Sequence, residues 1–245
     1  MKAMIFAAGL GTRLRPITNS RPKALVEIDG KPLLQIAIEK LKRFGYNEVI
    51  VNIHHFGEQI IDFLKANHNF DIHIEISDER DLLLDTGGGL KKAAWFFDDG
   101  QPFLVHNVDI LSGIDFNMMR DAHLKSGALA TLAVQNRPTS RSLLLNPGNC
   151  LAGWRNNVTG ELKLSCESAE GLTPTAFSGI HMISPGIFPL IQEQGVFSII
   201  DVYLRLARKY NISTFNHDHS FWMDLGRIEH LRDIEEKIKS HSVIL

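Results

Sequence analysis

A glycine-rich loop followed by cations is the part of this sequence that points most directly to chemistry. An apolar run from Met4 ends at Gly9 and Gly11, and basic residues that include Arg13 and Lys23 come soon after. Glycines expose backbone N–H groups, and here they stand with positive charge at the end of a buried strand. This combination is suited to binding a polyphosphate.

The loop does not fit two common phosphate-binding motifs. No Gly-Lys-Ser/Thr sequence closes it, so it is not a P-loop. Leu14 stands where a dinucleotide-binding fingerprint has its third glycine. Pro16 and Pro22 also prevent a helix from starting directly after the loop. These features argue against a dinucleotide-dependent oxidoreductase.

Two later segments carry further candidate binding residues. Asp109 follows the buried run 103–108, where a carboxylate could present two hard oxygens to Mg²⁺ or simply cap the next turn. Asp85 and Thr86 precede three consecutive glycines, 87–89. Such glycines let the backbone lie flat against a planar ring, although they are also typical of a flexible turn.

Composition is that of an ordinary globular protein. The 245 residues suffice for one large α/β domain with a sizeable core. The net charge of -2 argues against a protein that coats nucleic acid or an anionic membrane. Cys150 and Cys166 lack metal-ligand spacing and are predicted to be free thiols. No apolar run is long enough to span a membrane, and we expect a cytoplasmic protein.

The elements that must position these residues alternate along the first half of the chain. Strands are predicted at 2–7, 49–53, 72–76 and 103–108, and helices at 32–44, 57–65 and 90–97. This alternation predicts an α/β fold, a parallel sheet with helices on both faces. Gly9, Thr86–Gly89 and Asp109 would then lie at the carboxyl edge of the sheet, where ligands collect.

The pattern changes from about Gly127. Strands are predicted at 128–134, 142–145, 161–164 and 177–183, and helices at 197–210 and 227–239. Longer loops join these strands, which indicates antiparallel or mixed strands that extend the sheet. We expect one compact domain over residues 1–245, with two sub-regions that meet near residues 126 and 127.

The amino-terminal loop resembles that of the nucleotide-sugar pyrophosphorylases, the sugar-1-phosphate nucleotidyltransferases. Their signature, Ala-Gly-x-Gly-x-Arg-x-x-Pro and then Pro-Lys, matches Ala8–Pro16 with Pro22 and Lys23. Ala24 replaces the proline that usually follows the lysine. The resemblance covers nearly the whole chain. It implies a Rossmann-like mixed, mostly parallel central sheet, the glycosyltransferase-A-like nucleotidyltransferase fold.

The resemblance also implies catalytic roles. Arg13 would grip the leaving β- and γ-phosphates, and Lys23 would bridge the α-phosphate and the sugar phosphate. Asp109 would hold Mg²⁺ together with Asp224, which lies in a Trp-x-Asp-x-Gly segment of the family's kind. By itself, Asp224 could instead cap the helix that follows Gly226.

Nucleotide and sugar contacts are implied along both halves. Residues 1–126 would bind the nucleotide through Ala8, Gly9, Gly11, Thr12, Thr86, Gly87 and Gly88. Residues 127–245 and the end of the preceding strand would bind the sugar phosphate through Asn107, Glu161, Ser178 and Gly179. The segment from Gly153 to Glu161 either closes over the sugar with Trp154 or forms a surface hairpin.

The implied reaction makes an NDP-sugar and pyrophosphate from a nucleoside triphosphate and a sugar 1-phosphate, with Mg²⁺ as cofactor. The Asp-Thr-Gly-Gly-Gly segment is most similar to that of N-acetylmuramate-1-phosphate uridylyltransferases, which favours UTP and an amino-sugar 1-phosphate. Mannose- or heptose-1-phosphate guanylyltransferase is the alternative. A non-catalytic nucleotide-sugar-sensing subunit would have no need of all four charged residues. We expect no nucleic-acid or membrane partner, and a monomer or small homo-oligomer.

Overall fold

The computed structural model describes residues 1–240 and divides the chain into two compact units. The first unit contains Met1–Leu83, His106–Gly113 and the residues from Phe221 onward. The second contains Leu84–Val105 and Ile114–Ser220. The last five residues of the predicted 1–245 domain lie outside the described part of the chain.

Helices and strands are labelled in chain order. The α-helices among residues 1–240 are α1 (Leu33–Arg43), α2 (Gly57–Ala66), α3 (Asp85–Lys92), α4 (Phe116–Ser126), α5 (Ile199–Leu206) and α6 (Ile228–Lys239). The strands are β1 (Lys2–Phe6), β2 (Glu27–Ile28), β3 (Lys31–Pro32), β4 (Glu48–Ile53), β5 (His73–Asp78), β6 (Phe103–Asn107), β7 (Ile110–Ser112), β8 (Ala130–Gln135), β9 (Arg141–Leu145), β10 (Leu151–Asn156), β11 (Leu162–Leu164), β12 (Thr173–Ile183), β13 (Ile212–Asn216) and β14 (Trp222–Asp224). Short 3₁₀ helices cover Thr12–Leu14, Ile17–Asn19, Lys23–Leu25, His68–Asp71, Ala94–Phe96 and Pro185–Leu190.

The first unit is built on parallel strands. β1 pairs with β4 and β4 with β5, so that Phe6 lies opposite Asn52, and Asn52 opposite Ser77. The helices α1 and α2 connect these strands, as parallel pairing requires. β7 and β14 add a short antiparallel pair. The predicted alternation of strand and helix and the parallel sheet are therefore confirmed in this unit.

Local sequence explains why α1 forms where it does. Pro32 comes directly before the first helical residue, where its missing N–H costs no hydrogen bond. Leu34, Ile38 and Leu41 lie on one face and are fully buried. Gly45, at φ +80°, leads the chain away from the helix end. The helix predicted at 32–44 is thus confirmed, with its ends shifted by one residue.

The second unit contains a mostly antiparallel sheet. β12 pairs with both β8 and β9, and β10 with both β9 and β11. β13 joins β8 in parallel. The predicted change to antiparallel or mixed strands is confirmed. The segment from Gly153 to Glu161 belongs to a hairpin, in which β10 turns back into β11.

Two predicted helices have the wrong bounds, and one helix was not predicted. The helix expected at 90–97 is α3, which begins at Asp85 and contains the glycines rather than following them. The helix expected at 197–210 is shorter and ends at Leu206. The helix α4 was not predicted, although Asp115 caps it by accepting from two backbone N–H groups and Gly127 ends it at φ +58°.

Two predictions about the whole chain can also be compared with the structure. None of the helices within residues 1–240 is both long and apolar enough to cross a bilayer. Cys150 and Cys166 are free thiols, as predicted.

Candidate active site

Four charged side chains from distant parts of the sequence meet within the first unit. The Lys23 ammonium donates a hydrogen bond to the Asp109 carboxylate, and both side chains are largely buried. Nη1 of Arg13 lies 3.6 Å from Oδ2 of Asp224. The structure therefore brings together the two cations and the two carboxylates that the sequence singled out for phosphate and metal chemistry.

The path of the glycine loop explains how the cations reach this place. Gly11 adopts φ +63°, and a Cβ there would lie 2.9 Å from Thr18 Cγ2 and 3.1 Å from Lys23 Cβ. Any other residue would therefore push Thr18 and Lys23 away. The Thr18 hydroxyl also donates to the Gly11 carbonyl at 2.8 Å. Gly11 is thus required for the turn that brings Lys23 beside the loop, and Leu14, fully buried, anchors its far end.

Residues predicted for the nucleotide occupy different positions on this loop. Ala8 is buried, and its N–H donates to the Asn52 side chain at 3.2 Å. Gly9 and Thr12 are exposed, and nothing lies within 4 Å of the place where a Cβ on Gly9 would stand. Gly9 therefore leaves the loop open on one side, where a ligand could approach the backbone closely.

Short strands hold the two carboxylates beside each other. Asp109 lies between β6 and β7, and Asp224 is the last residue of β14. Asp224 lies opposite Ile110 in the β7–β14 pair, and the Leu225 N–H donates to the Asp109 carbonyl at 2.8 Å. Asn107, half-buried, ends β6 two residues before Asp109. The pairing of β7 with β14 is thus what joins the middle of the chain to its end.

The electrostatics of the cluster favour an ionised Asp224. Burial of the carboxyl acts to raise its pKa. The Gly226 N–H, which donates to it at 2.7 Å, opposes this, and so do the charges of Lys23 and Arg13 and a hydrogen bond with Asp109. The net effect is a pKa below the ordinary aspartate value. Asp224 is therefore negatively charged at neutral pH.

Gly226 makes the close approach of these groups possible. A Cβ at this position would lie 2.6 Å from Nη2 of Arg13, 2.8 Å from Oδ1 of Asp224 and 3.0 Å from Nζ of Lys23. Each of these distances is shorter than an ordinary van der Waals contact. A side chain here would thus displace the tips of all three residues. The sequence signal for it was the glycine of the Trp-x-Asp-x-Gly segment.

Two buried polar residues near the loop were not found by sequence reasoning. Asn52 and Glu79 are 3% and 1% exposed, and their side chains are hydrogen-bonded to each other at 2.8 Å. Asn52 stands in the apolar strand β4, and this was the available signal. A polar side chain that is buried in such a strand needs a hydrogen-bond partner. A polar residue within an apolar run therefore indicates a buried hydrogen bond.

In the second unit, the predicted base-binding glycines pack against a neighbouring segment. The N–H groups of Gly87 and Gly88 donate to the Phe197 carbonyl at 2.9 and 3.3 Å. The Thr86 hydroxyl accepts from the N–H of Ile199 at 3.1 Å. A Cβ on Gly87 would lie 2.5 Å from the Phe197 ring, and one on Gly88 would lie 2.5 Å from the Gly195 carbonyl oxygen. These glycines therefore have a packing role of their own, and their contact with a base stays a prediction.

The residues predicted for the sugar phosphate lie on the strands of the second unit. Ser178 is fully buried and its hydroxyl lies 2.7 Å from Nε2 of His217, while Gly179 adopts φ +72°. Glu161 is exposed, and its carboxylate is 3.9 Å from Nζ of Lys163. Lys163 donates instead to Asp201 at 2.8 Å, which raises the pKa of its ammonium.

The indole of Trp154 lies beside this lysine. Trp154 is opposite Lys163 in the β10–β11 hairpin, with the ammonium 5.4 Å from the ring centre. Trp154, Lys163 and Asp201 thus form a half-exposed group with an aromatic face, a cation and a carboxylate.

The donor set of the first unit fits a hard divalent cation. Within the described residues, no group of three or more His, Cys, Asp or Glu side chains could form a complete protein cage for a metal. Mg²⁺ is usually held by one or two carboxylates together with substrate phosphates rather than by such a cage. Asp109 and Asp224, adjacent and largely buried, are the residues that would hold it.

Comparison with known proteins gives a consistent result. The family model described as "Nucleotidyl transferase" matches residues 2–142. The chain is 32% identical over 242 residues to an N-acetylmuramate alpha-1-phosphate uridylyltransferase of Neisseria meningitidis, covering 96% of this chain and 97% of that protein. It is 31% identical over 232 residues to the protein of that name from Caulobacter vibrioides, with 91% of each chain covered.

A solved structure supports the fold. The putative glucose-1-phosphate thymidylyltransferase of Bacillus anthracis matches with a TM-score of 0.81 and 17% identity, over 100% of this chain and 97% of that chain. At this identity the likeness establishes the fold alone. The predicted α/β class and nucleotidyltransferase fold are confirmed.

Proposed function

The chain belongs to the nucleotidyl transferase family and is a sugar-1-phosphate nucleotidyltransferase, and we propose that it transfers a uridylyl group from UTP to N-acetylmuramate 1-phosphate. The observation that supports the chemistry best is the cluster of Arg13, Lys23, Asp109 and Asp224 in the first unit. The proteins of Neisseria and Caulobacter support this choice of substrates.

The proposed mechanism needs no covalent enzyme intermediate. An oxygen of the sugar phosphate attacks the α-phosphorus in line, and pyrophosphate leaves. Lys23 bridges the two reacting phosphates, and Arg13 neutralises charge on the leaving group. The exposed backbone at Gly9, the half-buried backbone at Gly11 and the hydroxyl of Thr12 donate hydrogen bonds to the triphosphate. The residues thus hold two polyanions together and offset charge as it moves.

We assign the divalent cation to Asp109 and Asp224. When bound, Mg²⁺ would neutralise negative charge on the nucleotide phosphates. The Lys23 ammonium pairs with Asp109 and the Arg13 guanidinium with Asp224, and these contacts orient the two side chains. We propose that the reaction takes place in the cytoplasm.

A polar pocket of the second unit suits an acidic sugar. Its volume is about 440 Å³, within the size range of small-molecule sites. Arg137 and Arg155 line it together with hydroxyl and amide groups, and none of the described residues lining it is acidic. N-acetylmuramate differs from N-acetylglucosamine by a lactyl carboxylate, which is the kind of group that arginine binds best. Arg137 also donates to the carbonyl of Phe177, next to Ser178 and Gly179, which connects the pocket to the predicted sugar segment.

The proposed function is tested by pyrophosphate release. Wild-type protein with Mg²⁺ is assayed with UTP, GTP, CTP and dTTP, each against the 1-phosphates of N-acetylmuramate, N-acetylglucosamine, glucose, mannose and heptose. We expect release with UTP and N-acetylmuramate 1-phosphate. Release with GTP and mannose or heptose 1-phosphate would replace these substrates and keep the reaction. Silence from folded protein that still binds a nucleotide would favour the sensing subunit.

Arg155→Gln tests the choice of sugar. We expect kcat/KM for N-acetylmuramate 1-phosphate to fall about tenfold or more, with little change for N-acetylglucosamine 1-phosphate, because only the first substrate presents a carboxylate. The matched control is Arg141→Gln, an exposed arginine on the adjacent strand β9 that does not line the pocket. If kcat/KM falls equally for the two sugars, or does not fall, the pocket does not determine the specificity for the sugar.

A further inference from the structure

A buried asparagine connects the start of the glycine loop to the neighbouring strands. Oδ1 of Asn52 accepts from the N–H groups of Ala7 and Ala8, at 2.7 and 3.2 Å. Nδ2 of the same amide donates to Oε1 of Glu79 at 2.8 Å. Asn52 and Glu79 are both almost completely buried. One amide thus satisfies two backbone donors and one carboxylate acceptor at the same time.

The chemistry of an amide is needed here. A carboxylate at position 52 would accept from Ala7 and Ala8, but it has no N–H group to donate to the Glu79 side chain, and the two like groups would repel each other when both are ionised. An apolar residue would leave two buried N–H groups and one buried carboxylate without these partners, and each such loss is costly. The carboxylate of Glu79 also determines which way the Asn52 amide points, because only its NH₂ group can donate.

Backbone contacts hold Glu79 in place. Its N–H donates to the Ile53 carbonyl at 2.8 Å, and its carbonyl accepts from Nδ1 of His54 at 2.6 Å. The segment after β5 is thereby joined to the end of β4, and Asn52 joins β4 to the residues after β1. These contacts meet where the parallel strands of the first unit end, next to Gly9.

We infer that Asn52 is the positioning residue of the nucleotide-binding loop and that Glu79 orients it. Asn52 accepts hydrogen bonds from the N–H groups of Ala7 and Ala8, so that the part of the loop that is accessible to a ligand begins at Gly9. This inference rests on the proposed role of the loop in binding the triphosphate. Its consequence is that the affinity for UTP depends on an amide that does not touch the nucleotide.

Exchange of the amide and the carboxylate tests this inference. Asn52→Asp places two carboxylates against each other, and we expect the Kd and KM for UTP to rise about tenfold or more and kcat to fall. KM for the sugar 1-phosphate should stay within about twofold. In the double variant Asn52→Asp/Glu79→Gln, the amide introduced at position 79 can donate to the new carboxylate while the backbone contacts persist. We expect its UTP affinity to return to within about threefold of wild type.

A control variant and two possible contrary results make this test decisive. Asn47→Asp adds the same charge at an exposed position just before the amino end of β4 and should leave UTP binding unchanged. The inference is wrong if folded Asn52→Asp binds UTP like wild type, or if the folded double variant stays as weak as the single one. Should Asn52→Asp not fold, the double variant alone gives the answer. Wild-type protein that binds UTP but transfers nothing to any sugar 1-phosphate would contradict the proposed function and leave this binding test intact.

Discussion

The two units differ in the polar contacts that they contain. In the first, side chains of opposite formal charge are paired, Lys23 with Asp109 and Arg13 with Asp224. In the second, the buried polar side chains are serine, threonine and histidine, and one example is His123, whose ring nitrogens each lie 2.9 Å from a hydroxyl group. Charged partners can exchange an ion pair for a phosphate or a metal ion. A satisfied neutral network gains nothing by opening, which makes it suitable as a scaffold.

Glycines of the two units also differ in the space around them. A Cβ on Gly9 would meet nothing within 4 Å, whereas one on Gly87 would lie 2.5 Å from the Phe197 ring. The first glycine leaves space open at the surface, and the second allows α3 to pack closely on residues 195–199. Similar glycine runs can therefore serve access in one place and packing in another, and the sequence pattern alone does not distinguish the two.

The largest expected effect comes from the charged cluster. We expect Lys23→Ala to lower turnover roughly a hundredfold or more, because Lys23 stabilises charge that develops between the reacting phosphates. Steady-state kinetics with UTP and N-acetylmuramate 1-phosphate measures it. Lys31→Ala is the matched control in the same unit, since its exposed ion pair with Glu39 contributes little. Near-normal turnover of folded Lys23→Ala would show that Lys23 does not have this catalytic role.

The second prediction separates the two glycines. We expect Gly87→Ala to destabilise the protein by about 1–3 kcal/mol, because the new methyl group overlaps the Phe197 ring. Gly9→Ala should change stability by less than about 0.5 kcal/mol, because its Cβ meets open space. Urea unfolding of both variants and wild type gives the comparison. If the two variants lose equal stability, the packing role of Gly87 is wrong.

The third prediction concerns a buried histidine of the second unit and affects stability only at acid pH. Burial lowers the pKa of His123 to about 4, below its usual value near 6.5. The unfolded chain therefore takes up a proton at this residue between about pH 6.5 and 4, while the folded protein does not, and stability falls as the pH is lowered through this range. We expect His123→Gln to reduce the slope of unfolding free energy against pH by about 1.4 kcal/mol per unit in that window.

His181 provides the comparison for this last measurement. Its ring is fully buried beside the Tyr203 hydroxyl, and burial lowers its pKa to about 3. It should therefore retain its own acid sensitivity in the His123→Gln variant, so the slope should decrease without vanishing. An unchanged slope in chemical unfolding between about pH 4.5 and 6.5 would show that His123 does not take up a proton on unfolding.

Much of the fold could be predicted because local pattern determines it. The strands β1 and β4 are short apolar runs bounded by polar residues or glycine, and α1 has helical spacing after a proline. The helix α4 was missed because its apolar residues form no continuous stripe. Its ends were nevertheless marked by Asp115 and Gly127. The start of α3 was misplaced because three glycines disfavour a helix by propensity, and only packing against Phe197 overrides this.

Part of the candidate site could likewise be predicted from local sequence, and part could not. The sequence by itself determined the chemistry of the glycine loop, because Gly9, Gly11, Arg13 and Lys23 lie close together in the chain and their types suffice to indicate a polyphosphate. Only the tertiary structure decided which distant carboxylates join them.

The pairing of β7 with β14 brings Asp224 to Asp109, and Gly226 leaves room for the cations between them. The hydrogen bonds of Asn52 to the loop and to Glu79 likewise connect three strands. Such contacts depend on the register of strands that lie far apart in sequence, and local pattern does not specify that register. Several buried polar residues could serve as the hydrogen-bond partner of a given group, so residue types alone do not identify which one does.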